Sequence, residues 1–201
     1  MSTSATLTIA QAAFVVGEPL DTFKKVVEKA PVKPRIVRQG GRRVRQFAMA
    51  DLVFLHAYRE LKQELTPKGQ AALYEALLGV GHGRRRNEVA FGNQKYDLGR
   101  HVAIVEAKLK ELERLADYID SSGGEALIKG TQIEAHRIAA LLDGGMTVEA
   151  VLRDYPSLME RQVLAAKAYA DANPKPGRPF PRQTAKAAMR VSGLGELDDE
   201  D

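Results

Sequence analysis

Between Lys33 and Arg45 the chain carries Lys33, Arg35, Arg38, Arg42, Arg43 and Arg45 and no acidic residue. Cations gathered in so short a segment neutralise phosphates, and the counterions released drive binding to nucleic acid. Arg35-Ile36-Val37-Arg38 and Arg42-Arg43-Val44-Arg45 flank Gln39-Gly40-Gly41, which predicts two basic strands of a hairpin around a Gly-Gly turn. The competing reading is a charged sheet edge that resists aggregation. The hairpin sits where a wing belongs, and that favours the nucleic-acid reading.

Other candidate chemistry is weaker. Gly79-Val80-Gly81-His82-Gly83 precedes Arg84-Arg85-Arg86, but a phosphate-binding loop follows a strand and opens a helix with Lys-Ser or Lys-Thr, and neither condition is met. A loop touching DNA or solvent is the better reading. His56, His82, His101 and His136 are widely separated and include no helical His-to-His pair for zinc. For His136 a structural hydrogen bond is expected. Ser157 reads as a helix cap, and the pairs Glu149 with Asp154 and Glu111 with Glu113 read as solvated helix faces. Neither catalysis nor a cofactor is expected, and no metal site is assigned.

The elements that position the arginines follow from local signals. Thr8 caps a helix through Ala12, Ala13, Val15 and Val16 that Gly17 closes. Asp21 is the N-cap candidate of a second helix to about Lys29, with Phe23, Val26 and Val27 inward and Lys24 and Lys25 pointing elsewhere. After the hairpin, Asp51-Leu52 opens a third helix to about Glu64. Helix, turn, helix, basic hairpin, helix is the order of a winged helix-turn-helix. Its expected DNA contacts are Lys24, Lys25, Lys33, Arg35, Arg38, Arg42, Arg43 and Arg45.

Thr66-Pro67 reads as N-cap and N1 of a helix to Leu78 with Gly79 at C′, and Val89–Phe91 and Gln94–Asp97 as short strands across Gly92-Asn93. Val102, Val105, Leu109, Leu112 and Ile119 recur at helical spacing from about 102 to 119, flanked by charge. That narrow stripe predicts either packing within its own domain or pairing with a second helix. A homodimer is preferred, because winged heads read two-fold operators. Ser121-Ser122-Gly123-Gly124 is the expected domain boundary.

Ile138, Ala139, Leu141 and Leu142 give a helix stopped at Gly144-Gly145, Thr147 caps a second that Pro156 ends, and Ser157 is expected to cap a third. The result is a trihelical, helix-turn-helix-like unit. Beyond Pro174, Pro176, Pro179 and Pro181 the chain can form only a short helix over 183–191 before an acidic end, so it is expected to order on a partner, the alternative being an unstructured solubilising tail.

Composition is consistent with a reducing cytoplasm and no membrane. The chain has 201 residues, no Cys, a formal charge of +4 and no apolar run near the roughly 20 residues of a membrane helix.

Two resemblances add to this. Gly130-Thr131-Gln132-Ile133, His136, Ile138-Ala139, Leu142 before Gly144, Asp154-Tyr155-Pro156-Ser157-Leu158 and Ala165 through Tyr169 resemble a small domain of unknown function that recurs in VapB-type antitoxins. Residues Ile9 to Gly17, Asp21 to Lys29, Gly41 to Arg45 with Phe47, and Asp51-Leu52 resemble the MerR-type DNA-binding head, although the Glu18-Pro19-Leu20 turn and the paired lysines depart from it. The first resemblance implies a C-terminal segment that covers a PIN-domain ribonuclease toxin, with an arginine approaching its acidic, magnesium-holding cluster. Arg178, Arg182 and Arg190 are the candidates, with Phe180, Met189, Leu194 and Leu197 as apolar anchors.

The expected fold is mainly α: a winged helix-turn-helix over residues 1–79, a linker with short strands and a dimerisation helix over 80–122, a trihelical domain over 123–174 and a flexible tail over 175–201. The expected function is that of a type II antitoxin that binds its toxin and operator DNA as a homodimer or higher assembly. The alternatives are a MerR-like ligand-responsive regulator and a structural adaptor.

Overall fold

The computed structural model describes residues 6–39, 41–80, 87–175, 177, 180–184 and 188. Gly81 to Arg86, Arg178, Met189, Arg190, Leu194 and Leu197 lie outside the described residues, as do the side chains of Gln39 and Arg42. The fold is mainly α, with small two-stranded antiparallel sheets, and divides into two compact units at Leu112. Among the described residues no helix is long and apolar enough to cross a membrane.

The first unit begins with α1 (Ile9–Val16), opened by Thr8 and Gln11, whose side chains each bind the other's backbone N–H. Gly17, at φ +76°, closes it: Gly17 N–H reaches Phe14 O and Glu18 N–H reaches Ala13 O, a pairing that needs the left-handed residue. Helix α2 (Leu20–Lys29) follows with Pro19 as its N-cap. Asp21 lies in its first turn, where its carboxylate holds Lys24 at 3.0 Å instead of capping.

Strands β1 (Arg35–Gln39) and β2 (Arg42–Gln46) form the expected hairpin, and α3 (Met49–Glu64) follows with eight buried residues. Its first turn is closed by Asp51, which accepts from Ala48 N–H at 2.8 Å. Thr66 and Pro67 start α4 (Pro67–Gly79) as the sequence indicates, with Val80 as C-cap. Strands β3 (Glu88–Phe91) and β4 (Gln94–Asp97) then lead into α5 (Gly99–Arg114).

Helix α5 corrects the expected dimerisation stripe. Val102 and Val105 are buried in the core of the first unit, and Leu109 and Leu112 pack against it. The helix ends at Arg114, and Ile119 sits in strand β5 (Ile119–Asp120), in the core of the second unit. Val102, Val105 and Ile119 are therefore covered within the chain, while Leu109 and Leu112 are half-buried.

The second unit pairs β5 with β6 (Leu127–Ile128), so Ser121 to Gly124 lies in a hairpin connection and not at a domain boundary. Helices α6 (Ala135–Asp143), α7 (Val148–Asp154) and α8 (Glu160–Ala172) complete it around Ile128, Ile138, Leu141, Val151 and Val163. Thr147 caps α7 through Ala150 N–H at 3.2 Å. Ser157 is not the cap of α8. Met159 is the N-cap of α8, and the Gln162 side chain returns to its N–H at 2.9 Å.

Residues 180–184, expected to belong to a free tail, pack on this unit. Thr184 is buried and donates to Asp154 at 2.8 Å, Phe180 is half-buried beneath Lys175 Nζ, and a Cβ at Gly144 would collide with the backbone oxygen of Arg182.

Candidate nucleic-acid interface

The hairpin is fastened to α2 at its base. Phe47, directly after β2, exchanges backbone hydrogen bonds with Leu7 at 2.9 and 3.0 Å. Its ring lies 5.6 Å from that of Phe23 on α2, and both rings are fully buried. The pair thus makes the core joint between the basic hairpin and the second helix.

Strand register sorts the arginines. Arg38 stands opposite Arg43 and Ile36 opposite Arg45, so these four share one face, while Val37 and Val44 occupy the other and are half-buried. Arg38, Arg43, Arg45 and Ile36 are exposed, Ile36 at 51%. Arg35 belongs to the valine face, opposite Gln46, and Arg42 pairs in register with Gln39. Among the described residues none of Arg35, Arg38, Arg43 and Arg45 forms an ion pair with a carboxylate.

The lysines divide differently. Lys33 is paired with Glu75 at 2.9 Å and Lys24 with Asp21 at 3.0 Å, so both already have an acidic partner. Among the described residues Lys25 pairs with no carboxylate, and it lines a cleft between α2 and α3 with Lys29, Arg59 and Lys62, which the sequence reading did not single out. Their spacing along two helices carries no local signal.

Two histidines that looked unrelated meet beside this cleft. His56 Nδ1 on α3 and His101 Nδ1 on α5 are 2.8 Å apart, and His101 Nε2 lies 3.4 Å from Glu60. With its proton on Nε2, facing that carboxylate, His101 accepts at Nδ1 and His56 Nδ1 donates. Burial holds the His56 pKa below its ordinary value, with the neighbouring His101 acting in the same direction. At 2.8 Å the nitrogens share a proton and are too close to flank a metal ion, whose ~2.1 Å bonds would hold them about 3.4 Å apart. No group of three ligating residues suited to a metal occurs among the described residues.

In the second unit His136 Nε2 donates to Asn173 O at 2.7 Å, fastening the start of α6 to the end of α8. Of the residues expected to meet a partner from the tail, Arg182 is exposed and Phe180 lies against Lys175.

Residues 120–170 match a family described as a protein of unknown function (DUF433). The uncharacterized protein y4eO of Sinorhizobium fredii is 33% identical over 75 residues, covering 35% of this chain and 34% of that protein. The chain thus spans about a third of the length of this curated relative. No solved structure matches. The family match runs from β5 into α8 and leaves the arginine hairpin outside it.

Proposed function

We propose that the chain is the antitoxin of a type II toxin–antitoxin system, which binds operator DNA through its first unit, represses its own operon and inhibits a PIN-domain ribonuclease. The observation that carries the DNA reading is the face shared by Arg38, Arg43 and Arg45, with two guanidinium-bearing residues directly opposite one another. Like charges at such positions destabilise a sheet. A phosphate backbone lying along the hairpin would supply the missing counter-charge.

The order of α1, α2, hairpin and α3 supports a MerR-like winged head, with Lys25 on the helix that would enter the groove. The match of residues 120–170 to the family of unknown function, with their resemblance to a domain of VapB-type antitoxins, supports the toxin-related reading. The segment beyond Thr184, past the residues that pack on the second unit, is then assigned to the ribonuclease together with the exposed Arg182. A MerR-like ligand-responsive regulator is the second reading, favoured by the cleft between α2 and α3.

Co-expression with the product of the neighbouring reading frame tests the proposal. A stable complex with a ribonuclease whose growth arrest the chain relieves, abolished when residues beyond Thr184 are deleted, is the expected result. A chain that purifies alone, binds its promoter and responds to a small molecule would move the assignment to the second reading.

A further inference from the structure

The cleft between α2 and α3 has a volume of about 480 Å³, within the range of sites that take small organic molecules. Phe23, Val26 and Leu55 supply apolar lining, and Lys25, Lys29 and Lys62 line it as exposed cations. Its two carboxylates are already engaged, Glu18 with Arg59 at 3.0 Å and Glu60 near His101 Nε2 at 3.4 Å. Among the described residues no carboxylate pairs with Lys25, Lys29 or Lys62. Three unmatched ammonium groups around one concave surface raise its potential for an anion. His56 also lines the cleft. Because His101 holds its Nδ1, the polar atom left to His56 is Nε2, a hydrogen-bond acceptor in the tautomer that turns the His101 proton toward Glu60.

We infer that the cleft between α2 and α3 binds a small hydroxylated organic anion, its carboxylate held by Lys25, Lys29 and Lys62, its apolar body on Val26 and Leu55, and its hydroxyl donating to His56. The three features act together. Charge alone would take any anion, and apolar lining alone would take any small hydrophobe. The inference does not depend on what the hairpin binds.

Titration of the isotope-labelled full-length protein with 4-hydroxybenzoate, followed by NMR, tests it. The methyl signals of Val26 and Leu55 and the ring signals of His56 should shift in a saturable way. 4-Hydroxybenzamide, which keeps the body and loses the charge, and inorganic phosphate, which keeps charge and loses the body, should bind more weakly. Both lysines are exposed, so Lys25→Gln and Lys29→Gln should leave the fold intact. Each should weaken binding by about threefold, and together by about tenfold, as expected for pairing with solvated cations. Shifts confined to other residues, no saturable shift, or equal affinity for phosphate would overturn the inference.

Discussion

Tyr74 of α4 donates its hydroxyl proton to Asp51 of α3 across 2.5 Å, and both residues are buried. The same hydroxyl oxygen accepts from Lys33 N–H at 3.2 Å, while the other carboxylate oxygen of Asp51 accepts from Ala48 N–H at 2.8 Å. One buried network therefore joins the segment before the basic hairpin to the start of α3 and to α4. Burial and the bond to Asp51 push the Tyr74 pKa well above its ordinary value.

Removing the hydroxyl leaves Asp51 Oδ1 and Lys33 N–H without that partner. Tyr74→Phe should cost about 1–3 kcal/mol, the penalty for stranding buried polar groups. The measurement is urea unfolding, with the midpoint lowered and the slope unchanged. Alkaline unfolding checks the sign independently. Tyr74 stays protonated in the fold while the unfolded chain ionises at about pH 10, so its contribution is complete below that pH and is lost as pH rises. The Phe variant should lack this part of the alkaline loss.

His56 predicts the opposite window. Its folded pKa lies below the ordinary 6.5, because burial and His101 disfavour the cation, with Arg100 adding to them and Glu60 and Glu18 opposing. Above pH 6.5 both states are neutral and the pair is intact. As pH falls below 6.5 the unfolded chain takes up the proton first, so stability should drop until the folded pKa is reached. His56→Gln should flatten the slope of unfolding free energy against pH by a fraction of one proton. An unchanged slope would place the acid sensitivity elsewhere.

Which parts could be read in advance follows from how local their signals are. Thr8, Gly17, Thr66-Pro67 and Thr147 act within about one turn, and each opens or closes a helix where the sequence indicates. Gly-Gly between basic strands likewise announces its hairpin. Ser157 misleads because Gln162 satisfies the α8 start from inside the helix. The Val102 to Leu112 spacing shows that α5 has an apolar face but carries no information about what covers it. Ile119 prolonged that spacing across a helix end by coincidence. The His56–His101 contact and the Lys33–Glu75 pair join residues more than forty positions apart, so no window of sequence contains them.

Gly144 illustrates a constraint of the same long-range kind. Its φ of −79° and ψ of −2° suit any residue, so the backbone alone would tolerate alanine. The obstacle is Arg182, whose carbonyl oxygen occupies the space a new Cβ would need. Backbone cannot yield there as a flexible side chain could. Gly144→Ala should therefore dislodge residues 180–184, break the Thr184–Asp154 bond and leave the Ile128–Ile138–Val163 core in place. Hydrogen exchange is the measurement: amides of 182–184 should lose protection by about tenfold or more, with α8 unaffected. Unchanged exchange would mean that α6 shifts instead.

Arg43 separates the structural from the functional account of the hairpin, because the two predict opposite consequences. Opposite Arg38, an acidic residue converts a repulsive pair into an attractive one. Arg43→Glu should therefore stabilise the first unit by about 0.2–1 kcal/mol, the range for cross-strand charge pairs. If the shared face of Arg38, Arg43 and Arg45 lies along phosphates, the same substitution should weaken DNA binding at low salt. The slope of log K against log salt should become shallower by about 0.9 for the one phosphate that residue 43 no longer neutralises. Thermal unfolding and fluorescence anisotropy over a salt series measure the two effects on one preparation. Greater stability with unchanged DNA affinity would identify the arginines as a solubilising edge. Greater stability with weakened, less salt-sensitive binding is the signature of a surface held unfavourably charged for a polyanionic partner.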